Sequence, residues 1–201
     1  MKKIFKKLFS VERIDLIKQY LKKKNPISLE IGVHRGDFSK KLFLNFRPKK
    51  LVLVDPWKVF DESIYKQSWY GNSDKLGQKK QDQYYEEVTT HFEKEILNGE
   101  VEIFRTTSDK YFRTNKYKFD LIYIDGNHLY DFVQKDISNS LDHINDNALI
   151  ILDDYKLKGW WNDGVTKAVD YFVDAKKIKI LDSHNLFNYH HQCIFKKKSQ
   201  D

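Results

Sequence analysis

Ile27-Ser-Leu-Glu-Ile-Gly-Val-His-Arg-Gly36 is the stretch that decides the architecture. Residues 27–32 are a short apolar run that reads as a strand. It passes through Gly32 and Gly36 into a segment carrying Phe38, Leu42 and Phe46 four apart. That spacing marks one buried face of a helix. Glycine at the corners lets the backbone turn tightly and lets a ligand approach it closely.

Outward from this unit the pattern repeats. Residues 51–55, 101–105, 119–125 and 148–153 read as further strands, short and apolar as strands of a buried parallel sheet are. Between them, Tyr85, Val88, Phe92 and Ile96 share a helical face, with Gly99 as a stop. Leu129, Val133, Ile137, Leu141 and Ile144 mark a second helix over 129–144, and Val165, Ala168, Val169, Phe172 and Val173 a third. The last two strands, 178–181 and 192–195, are only about ten residues apart. That gap is too short for a crossover helix, so they are expected to be antiparallel neighbours. The alternation predicts an α/β, Rossmann-like, doubly wound, seven-stranded, mostly parallel sheet with the last strand antiparallel.

A chain of 201 residues suits one core. We divide it into an N-terminal helical segment (1–25), one domain (26–196) and a flexible tail (197–201). Forty per cent hydrophobic residues, with 14 Phe and 12 Tyr, supply that core, and 32% charged residues solvate the surface. The net charge of +7 would suit nucleic acid, an anionic membrane or an acidic substrate. The excess is mostly lysine near the ends (Lys2, Lys3, Lys6, Lys7, 22–24 and 196–198), and no nucleic-acid-binding motif accompanies it, so no nucleic acid is expected as a partner.

Cys193 is the single cysteine, which excludes a disulfide framework and a cysteine zinc site and suits a reducing cytoplasm. No apolar run approaches the ~20 residues of a membrane span, and no signal-peptide core is present. Ile4, Phe5, Leu8 and Phe9 line one side of a basic helix, read as docking on the domain rather than lying on a membrane. Homo-oligomerisation stays open.

In open α/β sheets ligands bind beyond the carboxyl ends of the strands. Those ends carry Glu30 with Gly32, then Asp55, Asp125 with His128, and Asp153 with Asp154. A dinucleotide fingerprint would need glycine at His34 and Asp37, which argues against a nicotinamide oxidoreductase. Asp55 lies 23 residues after Gly32, where doubly wound nucleotide-binding folds place an acceptor for ribose hydroxyls. It also suits a cap on the turn before Pro56.

Asp125, Asp153 and Asp154 would converge at adjacent strand ends, and like charges held together call for a cation. Oxygen ligands favour Mg²⁺ or another hard divalent cation; capping a loop or pairing with a lysine is the alternative. His128 can serve as a base, a fourth ligand or a loop residue. His184, His190 and His191 read as structural, because adjacent strand residues point to opposite faces. The aromatic insertion 57–77, with Phe60, Tyr65, Trp69 and Tyr70, is either a lid over an acceptor or a satellite cluster beneath a loop.

Leu29-Glu-Ile-Gly-Val-His-Arg-Gly36, Val54-Asp-Pro-Trp57, Phe119-Asp-Leu-Ile-Tyr-Ile-Asp-Gly-Asn-His-Leu-Tyr130, Leu152-Asp-Asp-Tyr155 and Gly164-Val-Thr-Lys-Ala-Val-Asp170 together resemble the class I S-adenosylmethionine (SAM)-dependent methyltransferases. The resemblance is to the group related to the macrolide sugar O-methyltransferases and, more distantly, to catechol O-methyltransferase. It implies that Glu30, Gly32 and Gly36 line the methionine part of SAM, that Asp55 holds the ribose, and that Ser108 and Asp109 meet the adenine end. It puts Asp125, Asp153 and Asp154 on the family's magnesium positions, Asp125 also against the cofactor, and His128 on the base. Where catechol O-methyltransferase has an amide, this chain has Asp154. His34 replaces the middle glycine of the commonest first motif. The implied activity is metal-assisted O-methylation of a small-molecule acceptor, possibly a carbohydrate. A metal-independent methyltransferase acting on nitrogen or RNA, or a non-catalytic SAM-binding module, would share the first motif without needing three carboxylates.

Overall fold

The computed structural model describes residues 13–71, 77–185 and 191–198. The basic helix expected around residues 4–9, His190 and the end of the tail lie outside them, as do residues 72–76 of the aromatic insertion.

Seven strands form one sheet in the order β3-β2-β1-β4-β5-β7-β6. They are β1 (Ile27–Ile31), β2 (Lys50–Asp55), β3 (Val101–Arg105), β4 (Phe119–Ile124), β5 (Ile144–Leu152), β6 (Ile178–Asn185) and β7 (His191–Lys197). Strands β1 to β5 pair in parallel, while β7 lies antiparallel to both β5 and β6. The helices are α1 (Arg13–Tyr20), α2 (Asp37–Phe46), α3 (Gly77–His91), α4 (Glu93–Leu97), α5 (Ser108–Thr114), α6 (Tyr130–Asp142) and α7 (Gly164–Asp174).

Strand residues alternate between two cores, as a two-residue period requires. Leu51, Leu53, Leu121, Tyr123, Leu149 and Ile151 pack under α1, α2 and α3, which contribute Ile14, Leu16, Ile17, Phe38, Leu42 and Val88. Val52, Val54, Ile122, Ile124, Ile150 and Leu152 face the opposite way, onto Tyr111, Phe112, Val133, Ile137, Leu141, Val165, Ala168, Val169 and Phe172 of α5, α6 and α7. Because β1 sits between β2 and β4, the connections leave to opposite sides there. That switch point opens the crevice in which ligands of such sheets bind.

Three details differ from the periodicity reading. Ile144 does not end the helix over 129–144. It opens β5 instead, paired with Phe119. The face shared by Tyr85, Val88, Phe92 and Ile96 is present but broken into α3 and α4 at Phe92, whose ψ of 17° leaves the regular helix. Helix α5 is too short, at 7 residues, to show a period. Among the described residues no helix is long and apolar enough to cross a membrane.

Candidate active site

The first turn brings three strand ends together. The Gly32 backbone N–H donates to the Val54 carbonyl at 2.9 Å. At a φ of +87°, Gly32 lies so close to the next turn that a Cβ would stand 2.0 Å from the Asp125 carbonyl oxygen. Only glycine fits there. His34 also adopts a left-handed φ, +52°, where a glycine would be at ease. The Trp57 indole N–H donates to its carbonyl at 2.8 Å, and its ring packs 4.7 Å from Tyr84. These contacts hold a histidine in the left-handed region. Gly36, φ +75°, starts α2. The Glu30 carboxyl is enclosed in the domain, 1% exposed, and accepts a hydrogen bond from the Ser39 hydroxyl at 2.5 Å. Burial pushes its pKa up to about 8 against that bond.

Asp55 clamps two turns. One oxygen accepts the backbone N–H groups of Val33 and His34 at 2.9 and 3.0 Å, and the other accepts that of Trp57 at 2.7 Å. Burial raises its pKa and the three N–H groups pull it back. The capping geometry is thus present, and a ribose would have to use the lone pairs that remain. Ser108 and Asp109 sit at the start of α5, facing α6. Ser108 bonds the buried Asp136, whose pKa burial pushes up to about 7. Asp109 lies 3.8 Å from the Lys135 amine.

Asp125, Asp153 and Asp154 gather at the ends of β4 and β5, as their spacing implies. The cation between the first two is a side chain. The Arg13 guanidinium donates to the Asp153 carboxylate at 2.6 Å and lies 3.4 Å from that of Asp125. It also donates to the Tyr123 hydroxyl at 3.1 Å, which accepts from Gln192 as well, at 3.0 Å. Burial works against its charge, but Tyr123, Asp153 and Asp125 outweigh it, so the guanidinium stays charged. Asp154 turns the other way, 3.8 Å from the His128 imidazole.

The magnesium expectation on these three carboxylates is not supported: among the described residues no group of three or more His, Cys, Asp or Glu is arranged to hold a metal ion. Arg13 bridges two of the three carboxylates and offsets one of their charges.

His128 lies at the same rim, 3.5 Å from the Asp125 carboxylate. Burial disfavours its charged form, yet the nearby carboxylates of Asp125, Asp154 and Asp153 lift its pKa above the ordinary value. Its ring stacks at 4.7 Å on Trp161.

Trp161, like Trp160, was not singled out in the sequence reading. Both lie between β5 and α7, and an adjacent tryptophan pair beyond a strand's carboxyl end is the signal that could have found them. Trp160 packs on Tyr65 and Tyr70 at 5.7 and 5.8 Å, so the aromatic insertion forms a packed cluster. Asn127 ties that cluster to the His128 loop through the Tyr65 hydroxyl, at 3.1 Å. Among the described residues, four buried polar atoms around this crevice make no hydrogen bond: His34 Nε2, the Tyr70 hydroxyl, His128 Nε2 and Trp161 Nε1. Buried polar groups are normally satisfied, so these suit a bound molecule. His191 lies beside the rim, where its carbonyl accepts the Tyr155 backbone N–H at 2.9 Å and its ring pairs with the Ser183 hydroxyl at 3.1 Å. Two surface hollows, of about 650 Å³ against Lys40, Glu87 and His91 and of about 810 Å³ against Tyr20, Asp120 and Asn145, are lined by none of the rim carboxylates.

Known structures share this arrangement of strands. An N-methyltransferase, NodS, from Bradyrhizobium japonicum superposes with a TM-score of 0.60 at 12% identity, covering 92% of this chain and 93% of that one. A Streptococcus mutans protein solved in complex with S-adenosylhomocysteine (SAH) gives 0.61 at 14% identity, over 93% and 99% of the two chains. An rRNA methylase from Streptococcus thermophilus gives 0.58 at 11%, over 92% and 94%. At these identities the likeness is one of fold. No curated protein sequence matches the chain significantly. The family model described as a methyltransferase domain matches residues 29–155, from β1 through the strand-end carboxylates of β5. The chain belongs to the methyltransferase-domain family and has the fold of the class I SAM-dependent methyltransferases.

Proposed function

We propose that this chain transfers the methyl group of SAM to a hydroxyl oxygen of a small molecule or sugar, with His128 as the proton acceptor. The observation that carries the reading is the paired imidazole and carboxylate at the rim, His128 at 3.5 Å from Asp125. An imidazole whose pKa is raised by a carboxylate is the stronger base, and Asp125 stabilises the imidazolium that forms.

When bound, SAM supplies an electrophilic methyl group. The chain's part is to bind, orient and exclude water. The turn through Gly32, His34 and Gly36, together with Asp55, offers the cofactor a tight backbone surface. Trp161 holds the imidazole plane. The packed aromatics Tyr65, Tyr70 and Trp160 shield the crevice and suit stacking on a sugar or aromatic ring. The acceptor hydroxyl gives its proton to His128 as its oxygen attacks. Much of the acceleration comes from alignment. No step is assigned to a metal ion, because Arg13 holds two of the three carboxylates.

The test is calorimetric titration with SAH, followed by mass spectrometry of hydroxyl-bearing acceptors for the gain of one methyl. His128→Gln should lower turnover by roughly 10²–10⁴-fold while leaving SAH affinity within about two-fold. Wild-type turnover in that variant would sink the base assignment.

A further inference from the structure

We propose that Arg13 is the resident cation of this rim: it takes the place a divalent ion would hold between Asp125 and Asp153, so the rim binds no such ion. The inference rests on the reading of the rim as the acceptor site, and its basis is geometric.

The guanidinium is 2.6 Å from Asp153, whose side chain is 1% exposed, and 3.4 Å from Asp125. Its flat face lies over the Phe38 ring, 4.7 Å from the centroid, while the Tyr123 hydroxyl takes a further N–H. Carboxylate, aromatic face and hydroxyl together make a fitted seat that suits a planar, delocalised cation better than a compact one.

The seat is filled because α1 is docked. Ile14, Leu16 and Ile17 are buried in the same core as Val33, Phe38 and Leu42. Arg13 lies on that helix, so apolar burial of three neighbours delivers the charge. An arginine cannot shed its proton to make room. A divalent ion bound by Asp153 and Asp125 at its usual oxygen distances of about 2.0–2.6 Å would lie against the guanidinium, and the two cations would repel. Admitting the ion requires Arg13 to leave, which strains the docking of α1. Arg13 is thus a positioning residue: it holds Asp125 in place for His128.

The experiment uses the full chain and three readouts: Mn²⁺ binding by electron paramagnetic resonance, thermal melting, and SAH affinity with chelator or millimolar Mg²⁺. Wild type should bind no stoichiometric Mn²⁺, with melting temperature and SAH affinity unchanged by chelator. Arg13→Ala should melt roughly 5–10 °C lower in chelator at neutral pH, because the buried Asp153 carboxylate loses its ion pair with Arg13. It should gain a Mn²⁺ site that the added change Asp153→Asn removes. Arg13→Lys keeps a cation there and should behave as wild type towards Mn²⁺. Should Arg13→Ala fail to fold, the wild-type and lysine titrations still decide.

One Mn²⁺ bound by wild type and weakened tenfold or more by Asp153→Asn would overturn the proposal. So would an Arg13→Ala protein that matches wild type in melting and ion binding. Absence of SAH binding in wild type would instead sink the methyltransferase reading, whatever the Mn²⁺ result.

Discussion

Glu30 carries a carboxyl in the middle of the sheet with Ser39 as its hydrogen-bond partner among the described residues. Its pKa is about 8, and an unfolded glutamate titrates near 4.5. The sign follows from linkage: the folded state holds the proton more tightly. Stability from this group is complete below about pH 4.5 and is lost as pH rises through about 8. Glu30→Gln lacks that loss. Denaturant titrations should show the variant gaining on wild type between these limits, and a difference that stays constant with pH would refute the assignment. Asp55 shifts the same way, but three backbone N–H groups offset part of its burial. Both acidic positions stand out in the sequence by their place at strand ends. Their divergent environments do not, since the count of donors around a carboxylate depends on how two turns meet.

Helix α1 connects residue chemistry to architecture. Its described residues, Arg13–Tyr20, bury Ile14, Leu16 and Ile17, and tertiary packing of such a face supplies most of a helix's stability in a protein. Ile17 is fully buried. Ile17→Ala should cost about 2–5 kcal/mol in a urea titration, and it should loosen the seat of Arg13 as well. A loss under about 0.5 kcal/mol would mean that the helix is not docked in solution. Long periodic elements such as α6 and α7 were legible, because their buried residues recur at helical spacing. The break at Phe92 and helix α5 were not. A one-residue departure leaves the spacing of Tyr85, Val88, Phe92 and Ile96 almost unchanged, and Tyr111 with Phe112 in a 7-residue helix makes no repeat.

Two apolar layers share the single sheet, so unfolding should be one cooperative transition. A ligand that binds only the folded chain raises its stability by about 2.7 kcal/mol at one hundred times its dissociation constant. For a chain of 201 residues that is roughly 5–10 °C, so SAH at that excess should lift the melting temperature by this amount. A melting curve indifferent to SAH would show that the crevice is closed to it. The succession of strands and helices along the chain, the carboxylates at the strand ends and the tight first turn were determined by the sequence itself, because each follows from local periodicity and from residues close together in the chain. The identity of the cation was decided only by the tertiary structure. Arg13 stands 112 residues before Asp125 and 140 before Asp153. Any of the chain's 36 lysines and arginines carries the same charge. Which of them reaches two buried carboxylates depends on where an apolar helix face docks, and no local pattern encodes that. Trp160 meets Tyr65 and Tyr70 for the same reason: packing selects among many apolar partners by shape.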